Sequence, residues 1–174
     1  ITIGAGYRSD PARLWPAMIH NHFYFLSLAV GGLFFAAIQW VTGAMWSAPV
    51  RRLAESFTAY IPWLLVSAVV VFIGMKGTYK WTDTALVDGD IVLSGKKAYL
   101  NTTFFMIRNV AAIAIWWLFA KVMIGNSLKQ DETKDPALTA KNRVYGPVFL
   151  MLFAITFTLT SFDVLMSLDP HWFS

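Results

Sequence analysis

The stretch LWPAMIHNHFYFLSLAVGGLFFAAIQWVTGAMWSAPV, residues 14–50, contains no Asp, Glu, Lys or Arg. A helix crosses a hydrocarbon core of about 30 Å with about 20 mostly apolar residues, each adding about 1.5 Å. This run can do so with flanks to spare. It predicts a transmembrane helix over 22–46, closed by Pro49, Arg51, Arg52 and Glu55.

Working outward, three more spans follow. The neutral run Ser56 to Met75, ended by Lys76, Gly77 and Lys80, predicts a second over 56–75. A third is expected over 103–123, with Arg108 inside it and Lys121 at its exit, and a fourth over 145–168, neutral until Asp163. The reading is therefore an all-α integral membrane protein, multi-pass, with about four transmembrane helices in one bundle over 1–174. Residues Ile1 to Gly6 read as the tail of an earlier helix, and the chain stops on the turn-like Asp169-Pro170-His171-Trp172. A fragment of a longer chain, part of a larger multi-helix bundle, is expected. Between the spans, 47–56 reads as a tight hairpin and 76–102 as a longer loop rich in turn and capping residues. The stretch 125–144 reads as a polar connection with a short surface helix near Asn126 to Glu132.

Composition agrees. The chain is 57% hydrophobic and 14% charged, with a mean hydropathy of +0.54, against about 25% charged residues for a soluble domain. It has no cysteine, which excludes disulfides, thiolate-ligated iron–sulfur clusters and c-type haem attachment within this stretch. The net charge of +4 comes from Lys and Arg flanking the spans, without the basic helix face that nucleic acid requires. Arg8, Arg13, Lys76, Lys80, Lys96 and Lys97 flank one side; Arg51, Arg52, Lys129, Lys134, Lys141 and Arg143 flank the other. Orientation does not follow from that balance. Trp15, Trp46, Trp63, Trp81 and Trp172 suit interfacial belts, whereas Trp116 and Trp117 read as core packing.

Charge inside a span is costly and points to function. Arg108 lies about five residues from the middle of its span and Asp163 about seven from the middle of its own, displaced to the same side, so their depths differ by only a few ångströms. They are expected to pair. Three roles stay open: a static ion pair, a part in proton movement, or snorkelling to the surface. His20 and His22, opening the first span, and His171, following the fourth, lie on that same side. The five residues Asp163, Arg108, His20, His22 and His171 form a candidate polar cluster or proton path. Asp163 is the member expected to matter most for protons: burial and the neighbouring arginine act on it in opposite directions. His20 and His22 are two apart and point to different faces, which does not suit haem ligation, and no metal-ligand spacing is present. Gly31, Gly32, Ala36 and Ala37 make a small-residue patch suited to close helix crossing. Pro62 and Pro147 are read in first turns of their helices, where proline is tolerated.

Several strings flank these spans: Lys96-Lys97-Ala98-Tyr99-Leu100-Asn101 with Phe104-Phe105-Met106-Ile107-Arg108-Asn109; Asn126-Ser127-Leu128-Lys129-Gln130-Asp131-Glu132; Thr160-Ser161-Phe162-Asp163 with Met166-Ser167-Leu168-Asp169-Pro170-His171-Trp172-Phe173-Ser174; and Trp46-Ser47-Ala48-Pro49-Val50-Arg51-Arg52-Leu53-Ala54-Glu55. Together they resemble a membrane subunit of bacterial alternative complex III, a quinol:cytochrome c oxidoreductase whose membrane subunits are similar to those of the NrfD/polysulfide-reductase type. Of its two homologous membrane subunits, the resemblance is to the one that accompanies the quinol-binding one. It implies a multi-pass subunit of the bacterial inner (cytoplasmic) membrane, structural and proton-translocating, with no redox cofactor of its own. It further implies partner subunits that carry haem c, iron–sulfur clusters and a quinol site, the last in the homologous membrane subunit. The alternatives are a quinol-binding membrane subunit using His20 or Asp163 as proton acceptor, and a secondary transporter.

Overall fold

A computed structural model of the chain describes residues 11–44 and 46–171. The expectations placed on Ile1 to Gly6, Arg8 and Trp172 lie outside the described residues. The chain is an all-α membrane protein, with no strand among the described residues. Among the described residues, four helical segments, Arg13–Thr42, Ala48–Gly77, Thr102–Thr133 and Pro136–Leu168, are long and apolar enough to cross a membrane.

The helices are α1 (Pro11–Thr42), α2 (Ala48–Phe57), α3 (Leu64–Gly74), α4 (Thr84–Asp88), α5 (Ile91–Lys96), α6 (Thr102–Thr133) and α7 (Pro136–Val164). A 3₁₀ segment, Thr58–Trp63, joins α2 to α3. Side-chain caps start the helices that follow turns. The carboxylate of Asp83 accepts from Ala85 N, that of Asp90 from Val92 N and Leu93 N, and the Asn101 amide oxygen from Phe104 N. The capping chemistry read in 76–102 is therefore present.

The span boundaries require correction. The first helix is Pro11–Thr42 rather than 22–46: proline is tolerated at its start, and Gly43, at φ +65°, ends it. His20 and His22 accordingly sit well inside α1 instead of opening it. The expected hairpin at 47–56 is helix α2, which takes Pro49 in its first turn and carries Arg51, Arg52 and Glu55. The expected polar connection at 125–144 is helical except at its centre, where Lys134 takes φ 57° and Asp135 accepts from Ala137 N to start α7. Hydropathy marks where a helix meets lipid, whereas backbone hydrogen bonding continues until a residue breaks it. Pro147 is thus interior to α7, and Pro62 lies in the 3₁₀ segment; neither occupies a first turn.

The chain divides into two compact units, the first Ile1–Tyr24, Leu65–Ala111 and Leu159–Ser174, the second Phe25–Leu64 and Ala112–Thr158. The first is built on Ile19, Val71, Met75, Tyr79, Trp81, Phe105 and Val164, with the rings of Tyr79, Trp81 and Phe105 at centroid distances of 5.4–5.5 Å. Trp81 is therefore a core residue and not part of an interfacial belt. In the second unit Leu26, Val30, Leu33, Ala36, Ala37, Trp116 and Phe149 are buried, and Phe34 stacks on Phe153 at 4.7 Å. The small-residue patch acts here. A Cβ on Gly32 would collide with the Ala54 carbonyl of α2, and one on Gly146 with Val41. Trp46 and Trp63 are largely exposed, and Trp117 is 46% exposed, contrary to its reading as core. Large apolar side chains such as Ile73, Val144 and Met151 point outward, as expected of a surface that faces lipid.

Candidate functional site

In the first unit, Asn101 caps α6 and sets its register, which carries Arg108 to the side facing α7. Arg108 Nε donates to Asp163 Oδ2 and Nη2 to Oδ1, each at 2.7 Å. This is the bidentate fork that makes arginine–carboxylate pairs strong and directional. Nη1 and Nη2 also donate to the Tyr99 carbonyl at 3.2 Å, so four of the five guanidinium hydrogens are engaged. The guanidinium carbon lies 3.9 Å from the Tyr99 ring centroid and 4.2 Å from that of Phe104. The cation is thus covered by two aromatic faces as well as by the carboxylate. The Asp163 side chain is wholly buried, and that of Arg108 is 11% exposed.

The surroundings tighten this pair. Ser167 Oγ donates to the Asp163 carbonyl, and Tyr79 Oη to the Val164 carbonyl at 2.9 Å, which ties the end of α7 to the segment after α3. Burial, and then the negative charge of Asp163, push the Tyr99 phenol up to about 12. The same two causes, in the same order, raise that of Tyr79. Both phenols therefore stay neutral at physiological pH. Each Asp163 oxygen accepts one guanidinium hydrogen bond.

The three histidines are distributed differently. His22 is buried, with Nδ1 2.7 Å from Ser67 Oγ, and His20 is exposed. His171 Nε2 lies 2.5 Å from Asp90 Oδ2 in the segment between α4 and α5. That hydrogen bond is the main cause that holds the Asp90 carboxyl below its ordinary value of 3.8. Of the five candidate residues, then, the structure joins Arg108 and Asp163 to each other, His22 to Ser67 and His171 to Asp90. No group of three or more His, Asp or Glu suited to a metal ion occurs among the described residues.

A second polar cluster, in the second unit, does not emerge when 47–56 and 125–144 are read as connections. Glu55 is buried on α2 and accepts from Arg52 and from Ser127 Oγ at 2.9 Å, with Arg51 Nε at 3.4 Å. Arg52 also donates to the Ser127 carbonyl at 3.0 Å and to Asp131. Nearby, Asn126 Nδ2 donates to Asn142 Oδ1, and Asn142 Nδ2 to the Met123 carbonyl, both at 2.9 Å, locking α6 to α7. The signal in the sequence is the three- and four-residue spacing of Arg51, Arg52 and Glu55, and of Ser127 and Asp131, which places each set on one helix face.

No protein-family model matches the chain, and no curated protein matches it.

Proposed function

We propose that the chain is a membrane subunit of a respiratory quinol:cytochrome c oxidoreductase of the alternative complex III type, in a bacterial cytoplasmic membrane. In this reading it holds no redox cofactor, and its partners carry haem c, iron–sulfur clusters and the quinol site. The observation that carries the proposal is where the strings bearing the resemblance lie. Tyr99, Arg108 and Asp163 come from two of them and meet in one buried contact, while Lys96 Nζ donates to the Pro170 carbonyl at 2.6 Å. Arg52, Ser127 and Asp131 come from two others and meet in the second unit. Residues that carry the resemblance are thus among those that hold helices together.

The Arg108–Asp163 pair acts as a structural clamp between α6 and α7. Its bidentate closure, the Tyr99 carbonyl and the two covering rings support that role over a carboxylate that cycles protons. The experiment is affinity purification of the full-length chain from its native membrane. Co-elution of a c-type haem subunit, with quinol:cytochrome c reductase activity, is expected; a chain that elutes without any haem-bearing partner refutes the proposal.

One observation favours a second reading, a secondary transporter. The 3₁₀ segment at Pro62 interrupts a spanning helix, and transporters build substrate sites on interrupted helices. Counterflow of substrate in vesicles that hold the purified chain alone would support it and displace the first reading.

A further inference from the structure

In the second unit an open groove of about 500 Å³ runs between α2, with its 3₁₀ continuation, and α6. Trp117, Lys121 and Gly125 follow along its α6 wall at four-residue steps, about 6 Å each. On the other wall, Arg52 and Glu55 stand at one end and Pro62 at the other. The ten residue steps from Arg52 to Pro62 correspond to about 15 Å of helix, half of a hydrocarbon core of about 30 Å. The groove is therefore about one leaflet deep. It exists because the walls are locally thin: nothing lies within 4 Å of where a Gly125 side chain would begin, and Ala59 and Ala120 line the middle.

The charges within it are unevenly matched. Arg52 is held by Glu55 and Asp131, and Glu55 is held by Arg51, Arg52 and Ser127. Lys121 forms no ion pair among the described residues, and its ammonium stands 5.5 Å from the Trp117 ring centroid. A cation inside a spanning helix, beside an apolar trough one leaflet deep, calls for an anion carried on an apolar tail. A quinol would need a proton acceptor, and the one carboxylate in the groove is already occupied by two arginines and a serine.

We infer that this groove binds an anionic phospholipid, with its phosphate between Gly125 and Lys121 and an acyl chain running past Trp117 toward Pro62. The inference is independent of the enzyme complex proposed above. It is tested by native mass spectrometry of the full-length protein in neutral detergent, titrated with dioleoylphosphatidylglycerol or dioleoylphosphatidylcholine. The wild-type chain should retain the anionic lipid preferentially. Lys121→Gln should lower that preference about fivefold, the effect of one basic residue near an anionic surface. Lys121→Arg and Lys129→Gln should preserve it, and Gly125→Leu, which fills the groove without weakening the helix, should abolish retention. Inorganic phosphate should not compete. Unchanged lipid preference in Lys121→Gln, or displacement of the lipid by a short-chain quinone, would overturn the inference.

Discussion

Replacing Arg108 should be more damaging than replacing Asp163, although the two form one ion pair. Arg108→Met leaves a wholly buried carboxylate and the Tyr99 carbonyl without their cation. Removing one partner of a buried pair typically costs about 3–5 kcal/mol. Asp163→Asn leaves the guanidinium with the Tyr99 carbonyl, two aromatic faces and one amide oxygen, so the loss should be about 1–3 kcal/mol. The double variant Arg108→Met/Asp163→Asn removes both charges and should fall well short of the sum of the single changes. Interhelical hydrogen bonds in membranes average only about 0.6 kcal/mol, so a coupling of about 2 kcal/mol would mark a desolvated charge pair rather than an ordinary polar contact. The assay is unfolding of the full-length protein in mixed micelles by added dodecyl sulfate, followed by far-ultraviolet circular dichroism. Equal losses for the two single variants, or additivity within about 0.5 kcal/mol, would refute the reasoning.

Two further outcomes follow from local geometry. Gly31→Ala should be neutral or slightly stabilising, because nothing lies within 4 Å of the new Cβ, whereas Gly32→Ala meets the Ala54 carbonyl and Phe57 and should cost about 1–3 kcal/mol in the same unfolding assay. The Asp90–His171 contact should depend on acid. Because the folded carboxyl is held below 3.8, its stabilising effect is complete above that pH and is lost as pH falls through the lower folded value. Amide exchange in α5 should therefore accelerate below about pH 3.8 in the wild type, and Asp90→Asn should remove that dependence; an acid response that survives in the variant argues against the contact.

Much of this architecture is legible in the residues. The charge-free runs give four spans, and the matched depths of Arg108 and Asp163 anticipate their pairing, because depth along a helix follows from counting. What depends on the partner helix is not legible in that way. Glu55 looks like a loop residue until Ser127 and Asp131 are brought to it by α6. His20, His22 and His171 share one side by counting, yet helix azimuth and local contacts send them to the exposed surface, Ser67 and Asp90. Pro147 reads as an initiator only if the polar stretch before it is not helical, and α7 already begins at Pro136.

The clamp assigned to Arg108 and Asp163 is tested most directly in the complex proposed above, purified with Asp163→Asn, with yield, quinol oxidation and proton release measured on the same preparation. A clamp predicts less assembled complex, and unchanged turnover and protons released per electron in the fraction that assembles. Full assembly and electron transfer with a lowered proton yield would contradict it and make Asp163 a proton carrier.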